Sequence, residues 1–347
     1  MNNPTLRSAF RGCLLGGAVG DAMGLPEEFT QLAEIIRKYG PQGVTCYQPC
    51  YGGVGKFSDD TQMTLFTAEG LLRGYVDEIK HGVARYEQLG ATALIRWLKT
   101  QGISNPTIKT DNTGLIWCKS LHSRRAPGGT CLSALTAMPY PGAPAKNDSK
   151  GCGAVMRMAP VGLFCWVTGR ADTFQLANRL GALTHAHDSG YLSGGVLAVL
   201  IQKLLGSLDL KAACQEAMGE LKRFSGHEET LAAMQAALRL AEKPFSREAI
   251  KKLGEGWVGE EALAISVYCA LTAQDFRSGI INAINHDGDT DSTGAICGNL
   301  LGAMWGQEAI PEEWLEPLEL RELVASLGDD LYDCIKWAEA LKKYPAL

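Results

Sequence analysis

Long uncharged apolar runs are missing from this sequence. The longest candidates, 158–169 and 190–202, fall short of the roughly 18 residues that mark a membrane-spanning helix, and fit buried core helices instead. An excess of positive charge is missing too. The formal net charge is −5, which argues against a nucleic-acid partner. Residues 1–10 are polar, and the apolar stretch 13–24 is cut by Asp21 behind only a weak basic lead-in, a poor match to a secretory signal. The 11 cysteines show no paired spacing. Cys46 and Cys50 lie close together, but no second pair answers them as a zinc site would need. A disulfide scaffold would be shorter and denser in cysteine. The expectation is a cytoplasmic protein with reduced, mostly buried thiols and no membrane partner. Clean two-residue alternation is almost absent, with no βαβ rhythm and no repeat of fixed period, which removes sheet-based folds and solenoids.

What remains is a chain of 347 residues, 46% apolar and 20% charged, an ordinary globular balance. Its dominant period is helical. Tyr86, Leu89, Ala93 and Trp97 mark one helix face, and Leu231, Met234, Leu238 and Ala241 another. Similar stretches run over 59–73, 153–166, 173–182, 189–205, 208–223, 260–272, 293–305 and 329–342. Gly12, Gly16, Gly17, Gly20 and Gly24 crowd the first helix region. Each glycine weakens a helix by roughly 1 kcal/mol against alanine, so their number implies close helix packing or backbone kept near a ligand. Loops rich in Gly, Pro and Asn at 39–57, 100–114, 122–130 and 140–152 are long for a simple bundle and suit a binding cleft. No linker, charge run or low-complexity segment divides the chain. The expected architecture is a single all-α domain over 1–347.

Two acidic segments stand out. Phe57-Ser58-Asp59-Asp60-Thr61 precedes the helical pattern at 62–73. His286-Asp287-Gly288-Asp289-Thr290-Asp291-Ser292-Thr293 precedes the one at 294–304. Capping explains part of this, because Ser, Thr and Asp are preferred N-caps and the helix dipole favours a carboxylate there. Capping gives no reason for a second or third acid beside the first. Gathered together, Asp59, Asp60, Asp289 and Asp291 would repel one another without a cation. Carboxylates and hydroxyls are hard donors, and no cysteine lies in either cluster. That set suits Mg²⁺ or Mn²⁺, with Ca²⁺ less suited: an EF-hand loop on 287–298 would need glycine at Ser292 and glutamate at Gly298. Two such clusters could bridge two ions and hold a water between them. Other motifs fail on their own terms. His185-Ala186-His187-Asp188 begins like a metallo-β-lactamase zinc motif but has Gly190 where a histidine is needed. Gly52-Gly53-Val54-Gly55-Lys56 resembles the tail of a phosphate loop but has Cys50 and Phe57 at its required positions.

The two acidic clusters resemble the paired metal motifs of the ADP-ribosylglycohydrolase family. The segment from Gly12 to Phe29 resembles that family's N-terminal signature, and Lys150-Gly151-Cys152-Gly153-Ala154-Val155-Met156-Arg157-Met158-Ala159-Pro160 its central glycine-rich motif. Leu183-Thr184-His185-Ala186-His187 is similar to its next motif. Five motifs in order, from residue 12 to about 305, are far more specific than any one. The resemblance implies a compact orthogonal all-α assembly with two divalent cations, Mg²⁺ or Mn²⁺, in a cleft. It implies Ser58, Asp59, Asp60, Asp289, Asp291 and Ser292 as metal ligands. Ser58 and Ser292 stand where many relatives have threonine; either hydroxyl can coordinate. It places Glu28 on a flap over the metals, Ser149, Lys150, Gly151, Cys152 and Gly153 around a diphosphate, His185 near the adenosine ribose, and Gly114 at the ligand's border. Glycines there would let backbone N–H groups approach phosphate oxygens.

The activity implied is removal of ADP-ribose from a mono-ADP-ribosylated protein, most simply from arginine. Asp59 or Asp60 would orient or deprotonate water, and Glu28 would assist the leaving group as oxocarbenium-like charge builds on the ribose. Two alternatives follow from the same resemblance. Relatives that protect a bacterium from a toxin suggest an immunity protein that neutralises an ADP-ribosyltransferase toxin by hydrolysis or binding. Lens crystallins of similar build suggest a non-catalytic role, which loss of the acids would support; all four aspartates are present.

Overall fold

The computed structural model describes residues 4–207, 209–334 and 343–344. Helices carry the architecture, as the periodicity predicts. Among the described residues the strand-like pairing is two isolated bridges, Cys50 with Gly53 and Gly151 with Val258. The longer helices in chain order are Leu6–Gly24, Asp59–His81, Tyr86–Thr100, Ala159–Thr168, Asp188–Leu205, Leu210–Leu221, Glu228–Leu240, Gly259–Thr272, Thr290–Trp305 and Arg321–Asp333. None among the described residues is long and apolar enough to cross a membrane. The helical expectation at 329–342 is met at its start by Arg321–Asp333, and residues 335–342 lie outside the described residues.

One stretch departs from its expected period. Pro160 has no N–H to donate and is tolerated only in a first turn, so the helix expected over 153–166 starts at Ala159. The residues before it make a single 3₁₀ turn, Val155–Arg157. The glycine-rich segment ahead of that turn therefore stays a loop.

The glycines of the first helix face those of Thr290–Trp305, running antiparallel. A Cβ added at Gly12 would come within 2.5 Å of the Gly302 carbonyl oxygen; at Gly24 it would lie 2.5 Å from the Thr290 carbonyl carbon. At Gly16 and Gly20 it would likewise run into the opposing backbone, at Gly298 and Gly294. Real Cβ atoms never sit that close, so the two backbones touch only because side chains are missing on both faces. Asn299 fastens the pair by donating from Nδ2 to the Cys13 carbonyl at 2.7 Å. The C-terminal end of the first helix is thereby set beside the start of the Thr290 helix, where the second acidic segment lies.

Candidate metal centre and cleft

The capping explanation accounts for one residue at each acidic helix start. Ser58 is the N-cap of Asp59–His81 and accepts the Asp60 N–H at 3.1 Å. Asp289 is the N-cap of Thr290–Trp305 and accepts the Ser292 N–H at 3.1 Å. Asp59, Asp60 and Asp291 are left over, inside the first turns and almost fully buried. The fold brings the two starts face to face: the Ser292 hydroxyl donates to Asp60 Oδ2 at 2.7 Å across the gap.

Asp21, which had no place in the sequence-derived site, organises the first start. Fully buried on the glycine-rich helix, it accepts the backbone N–H of Ser58 (2.8 Å), the N–H of Thr61 (2.9 Å) and the Thr61 hydroxyl (2.5 Å). A carboxylate that takes three donors orders the Ser58–Thr61 turn. Burial nevertheless raises its pKa to about 6, against those hydrogen bonds.

Glu27 and Glu28 separate cleanly. Glu27 is drawn away by the Lys38 ammonium (2.8 Å) and the Tyr39 hydroxyl (2.5 Å). Glu28, half-buried, turns to the cluster, where its carboxylate lies with those of Asp289 and Asp291 inside a 4.8 Å group. Among the described residues, no lysine, arginine or histidine pairs with Glu28, Asp59, Asp60, Asp289 or Asp291. Burial, followed by Asp289, Asp59 and Asp21, pushes Glu28 up to about 9. Burial and neighbouring carboxylates also hold Asp59, Asp60 and Asp291 well above the usual carboxylate range. A cluster of hard oxygen donors, buried and without a protein cation, fits a divalent metal.

The glycine-rich loop passes beside this cluster. It is pinned to 257–259 by Cys152 N–H to the Trp257 carbonyl (3.2 Å) and Gly259 N–H to the Lys150 carbonyl (2.8 Å). The Cys152 thiol donates to Asp289 Oδ2 at 2.8 Å. Gly151 and Gly153 leave room for the His185 ring, which a Cβ at either position would meet at 3.1 and 2.9 Å. Ser149 Oγ accepts the Gly151 N–H (3.3 Å) and lies 3.1 Å from the Thr130 hydroxyl.

Two expected positions, Lys150 and Gly114, have side chains or neighbours away from the cleft lining. The Lys150 ammonium bonds Glu229 (2.7 Å) and Glu260 (2.6 Å) rather than lining the cleft. Gly114, exposed, lies against Glu69 and the Arg73 guanidinium, where the buried Glu69, Arg73 and Arg96 meet the exposed Asp111. It is outside the cleft, whose lining also omits Ser58 and Ser149.

That cleft has a volume of about 330 Å³. It runs from Glu28 and the four aspartates past Gly128–Cys131 to the Gly151–Gly153 loop and His185. Its rim carries Phe29 and Trp257, stacked with ring centroids 5.4 Å apart and an interplanar angle of 16°. The Trp257 indole donates to Glu255 at 3.1 Å. Phe29, Gly128–Cys131 and Trp257 were absent from the sequence-derived site. The exposed Phe29 beside Glu28 and the run Pro127-Gly128-Gly129-Thr130 were the signals available for them.

Both the sequence and the fold match known proteins. The model of one family, ADP-ribosylglycohydrolase, matches residues 2–340. The chain belongs to the ADP-ribosylglycohydrolase family. It is 26% identical to the ADP-ribosyl-[dinitrogen reductase] glycohydrolase of Rhodospirillum rubrum, covering 92% of this chain and 94% of that one. It is 24% identical to the ADP-ribosylarginine hydrolase Tri1 of Pseudomonas putida, covering 93% and 77%. A solved structure titled ADP-ribosylglycohydrolase-related protein complex superposes with a TM-score of 0.70 at 25% identity, over 95% of this chain and 99% of that one. The all-α ADP-ribosylglycohydrolase fold and ADP-ribosyl hydrolysis as the class of reaction come with that membership.

Proposed function

We propose that this chain hydrolyses the bond between ADP-ribose and an arginine side chain of a mono-ADP-ribosylated protein, using two divalent cations, Mg²⁺ or Mn²⁺. The observation that carries the reading is the cleft itself. At one end, among the described residues, the buried carboxylates have no ion-paired lysine, arginine or histidine; at the other, the Gly151–Gly153 loop and His185 line the wall. Ser58, Asp59, Asp60, Asp289, Asp291 and Ser292 would hold the cations. Bound there, the cations supply positive charge that orients ribose hydroxyls and makes water more acidic. Asp59 and Asp60 border the open cleft, and one of them orients the attacking water. Glu28 borders the same cluster, where burial and its acidic neighbours favour its protonated form in the cation-free site, and it is the group that would assist the leaving group. Ser149, Gly151, Cys152 and Gly153 line the path of the diphosphate.

Arginine as the acceptor is supported by the likeness to Tri1, an ADP-ribosylarginine hydrolase, and by the rim. A planar guanidinium suits the face of Trp257, with the Glu255 carboxylate beside it. The test is incubation with arginine-ADP-ribosylated and serine-ADP-ribosylated proteins, in Mg²⁺, in Mn²⁺ and in chelator, with released ADP-ribose followed by mass spectrometry. Metal-dependent release from the arginine conjugate, lost in Asp60→Ala, is expected. Release from serine alone would overturn the acceptor. Release from neither, by folded and metal-supplied protein, would overturn the enzymatic reading and favour a role in binding.

A further inference from the structure

A neutral imidazole has one N–H and one lone pair, and their placement decides whether the ring can hold an anion or only a hydroxyl. Around His185 the placement is forced by its neighbours. Arg157, fully buried, donates from Nη2 to Thr184 Oγ1 at 3.0 Å, and a guanidinium has no acceptor, so that direction is fixed. The Thr184 hydroxyl must send its own proton elsewhere. Three acceptors are in range: the Gly181 carbonyl at 3.4 Å, His185 Nδ1 at 2.9 Å, and the Cys131 sulfur, a far weaker acceptor than an imidazole nitrogen. The Gly181 carbonyl already accepts the backbone N–H groups of Thr184 and His185, each at 3.1 Å, and a carbonyl oxygen has two lone pairs. The hydroxyl proton goes to Nδ1, which leaves the ring proton on Nε2.

Nε2 itself has no hydrogen-bond partner among the described residues, although the ring is 1% exposed. It faces the loop, 3.1 Å and 3.3 Å from where Cβ atoms of Gly151 and Gly153 would stand, on the wall of the cleft. Burial, with the Arg157 charge, pushes the imidazole down to about 3, so the ring stays neutral across the working range. Arg157 also donates to the Gly153 carbonyl, tying the same relay to the loop.

We propose that Arg157, Thr184 and His185 form a relay that fixes the imidazole as an Nε2–H donor aimed at an acceptor oxygen of the ADP-ribosyl group. Arg157 and Thr184 are positioning residues in it. The identity of the ligand rests on the functional reading above; the tautomer does not. A diphosphate oxygen can only accept, and a ribose oxygen can accept as well, so both are candidates for the same donor.

Long-range ¹H–¹⁵N correlation on the ¹⁵N-histidine-labelled protein reads the tautomer directly. His185 is expected with Nε2 protonated and Nδ1 bare. Thr184→Val should move the two nitrogen shifts toward each other, and Thr184→Ser should restore them; a purely packing role for Thr184 would leave the shifts in place. Calorimetry with ADP-ribose, ADP and adenosine then tests the ligand. His185→Gln keeps a donor near the Nε2 position and should bind within a few-fold of the parent. His185→Asn cannot reach and should bind about 10- to 100-fold more weakly, the range for a lost charge-assisted hydrogen bond. A loss confined to ADP and ADP-ribose assigns the diphosphate; a loss shared by adenosine assigns the ribose. Protonated Nδ1 in the unmodified protein overturns the relay. An Nε2–H ring with His185→Asn binding all three ligands at full strength overturns its role in binding. If the unmodified protein binds none of them, the functional reading and the ligand both fall, and the spectrum alone still decides the relay.

Discussion

Replacing Gly24 by alanine adds one methyl group where the glycine-rich helix meets the start of the Thr290 helix. The added Cβ would lie 2.5 Å from the Thr290 carbonyl carbon and 2.7 Å from the Asp291 nitrogen. The Thr290 carbonyl oxygen is nearer still and ordinary contact begins near 3.4 Å, so the backbones must part by about 1 Å. No flexible side chain stands in the way to absorb the change, only the peptide that carries Asp291. Overpacking of this kind costs about 1–3 kcal/mol, offset in part by alanine's better helix propensity, roughly 1 kcal/mol. The functional cost should be larger, since a displacement of about 1 Å in a reacting group can lower turnover on the order of 100-fold. The control is Gly219→Ala, on an exposed face of Leu210–Leu221 with nothing within 4 Å of the new methyl. It should hold or raise the melting temperature and leave ADP-ribose release unchanged. Thermal melts with a single-turnover assay distinguish the two. A Gly24→Ala protein that melts with the parent and releases ADP-ribose at the parental rate would refute the claim that this contact sets the position of Asp291.

Other perturbations address the charge and walls of the site. With chelator present, the raised carboxyls of Glu28, Asp59, Asp60 and Asp291 make the folded state bind more protons than the unfolded one, so stability should fall as pH rises from about 4 towards 9. Mg²⁺ or Mn²⁺ should flatten that slope, and a chelated protein whose melting temperature is level or climbs over this range would contradict the electrostatics. Asp21→Asn places an amide N–H₂ against donors that now meet a carboxylate, and should cost about 1–3 kcal/mol in urea unfolding while weakening cation binding in calorimetry. Unchanged cation affinity would remove Asp21 from the assembly of the site. Trp257→Ala should raise KM for the arginine conjugate about 3- to 30-fold with a smaller change in kcat, the span of a cation–π contact. An effect confined to kcat would place the indole's role elsewhere.

Most of the helices were legible because their apolar faces repeat over three turns or more, as Tyr86–Thr100 and Glu228–Leu240 do. Leu32–Tyr39, Gly129–Ala137 and Arg247–Leu253 are nine residues or fewer, a length at which a period seldom rises above its background, although Thr173–Gly181, equally short, was legible at 173–182. The acidic ends were legible because two features coincide in sequence, a cap and surplus acids. Asp21 was not, because a lone aspartate in an apolar glycine-rich stretch looks like an interruption. Its role appears only when a turn 40 residues away closes on it. Lys150 and Gly114 show a different limit. A position taken from a family motif fixes the course of the backbone, but not where a long side chain turns or which side of a loop faces the cleft. For Lys150, Glu229 and Glu260 decide that, and neither is near it in sequence.

The glycines and the acids are parts of one arrangement. Two helix starts bearing surplus carboxylates repel each other, and ordinary side chains between the helices would let them drift apart. The bare glycine faces remove that slack: the backbones meet, and the repulsion has to be borne in place. Asp21 lies on the glycine helix between Gly20 and Gly24 and holds the Asp59 turn, while Gly24 abuts the peptide that carries Asp291. A single rigid element therefore sets both halves of the cluster, and a cation entering between them has little reorganisation left to drive. Loosening the glycine contact should thus lower cation affinity even though no ligand is touched, whereas removing a ligand should lower it without changing the helix contact.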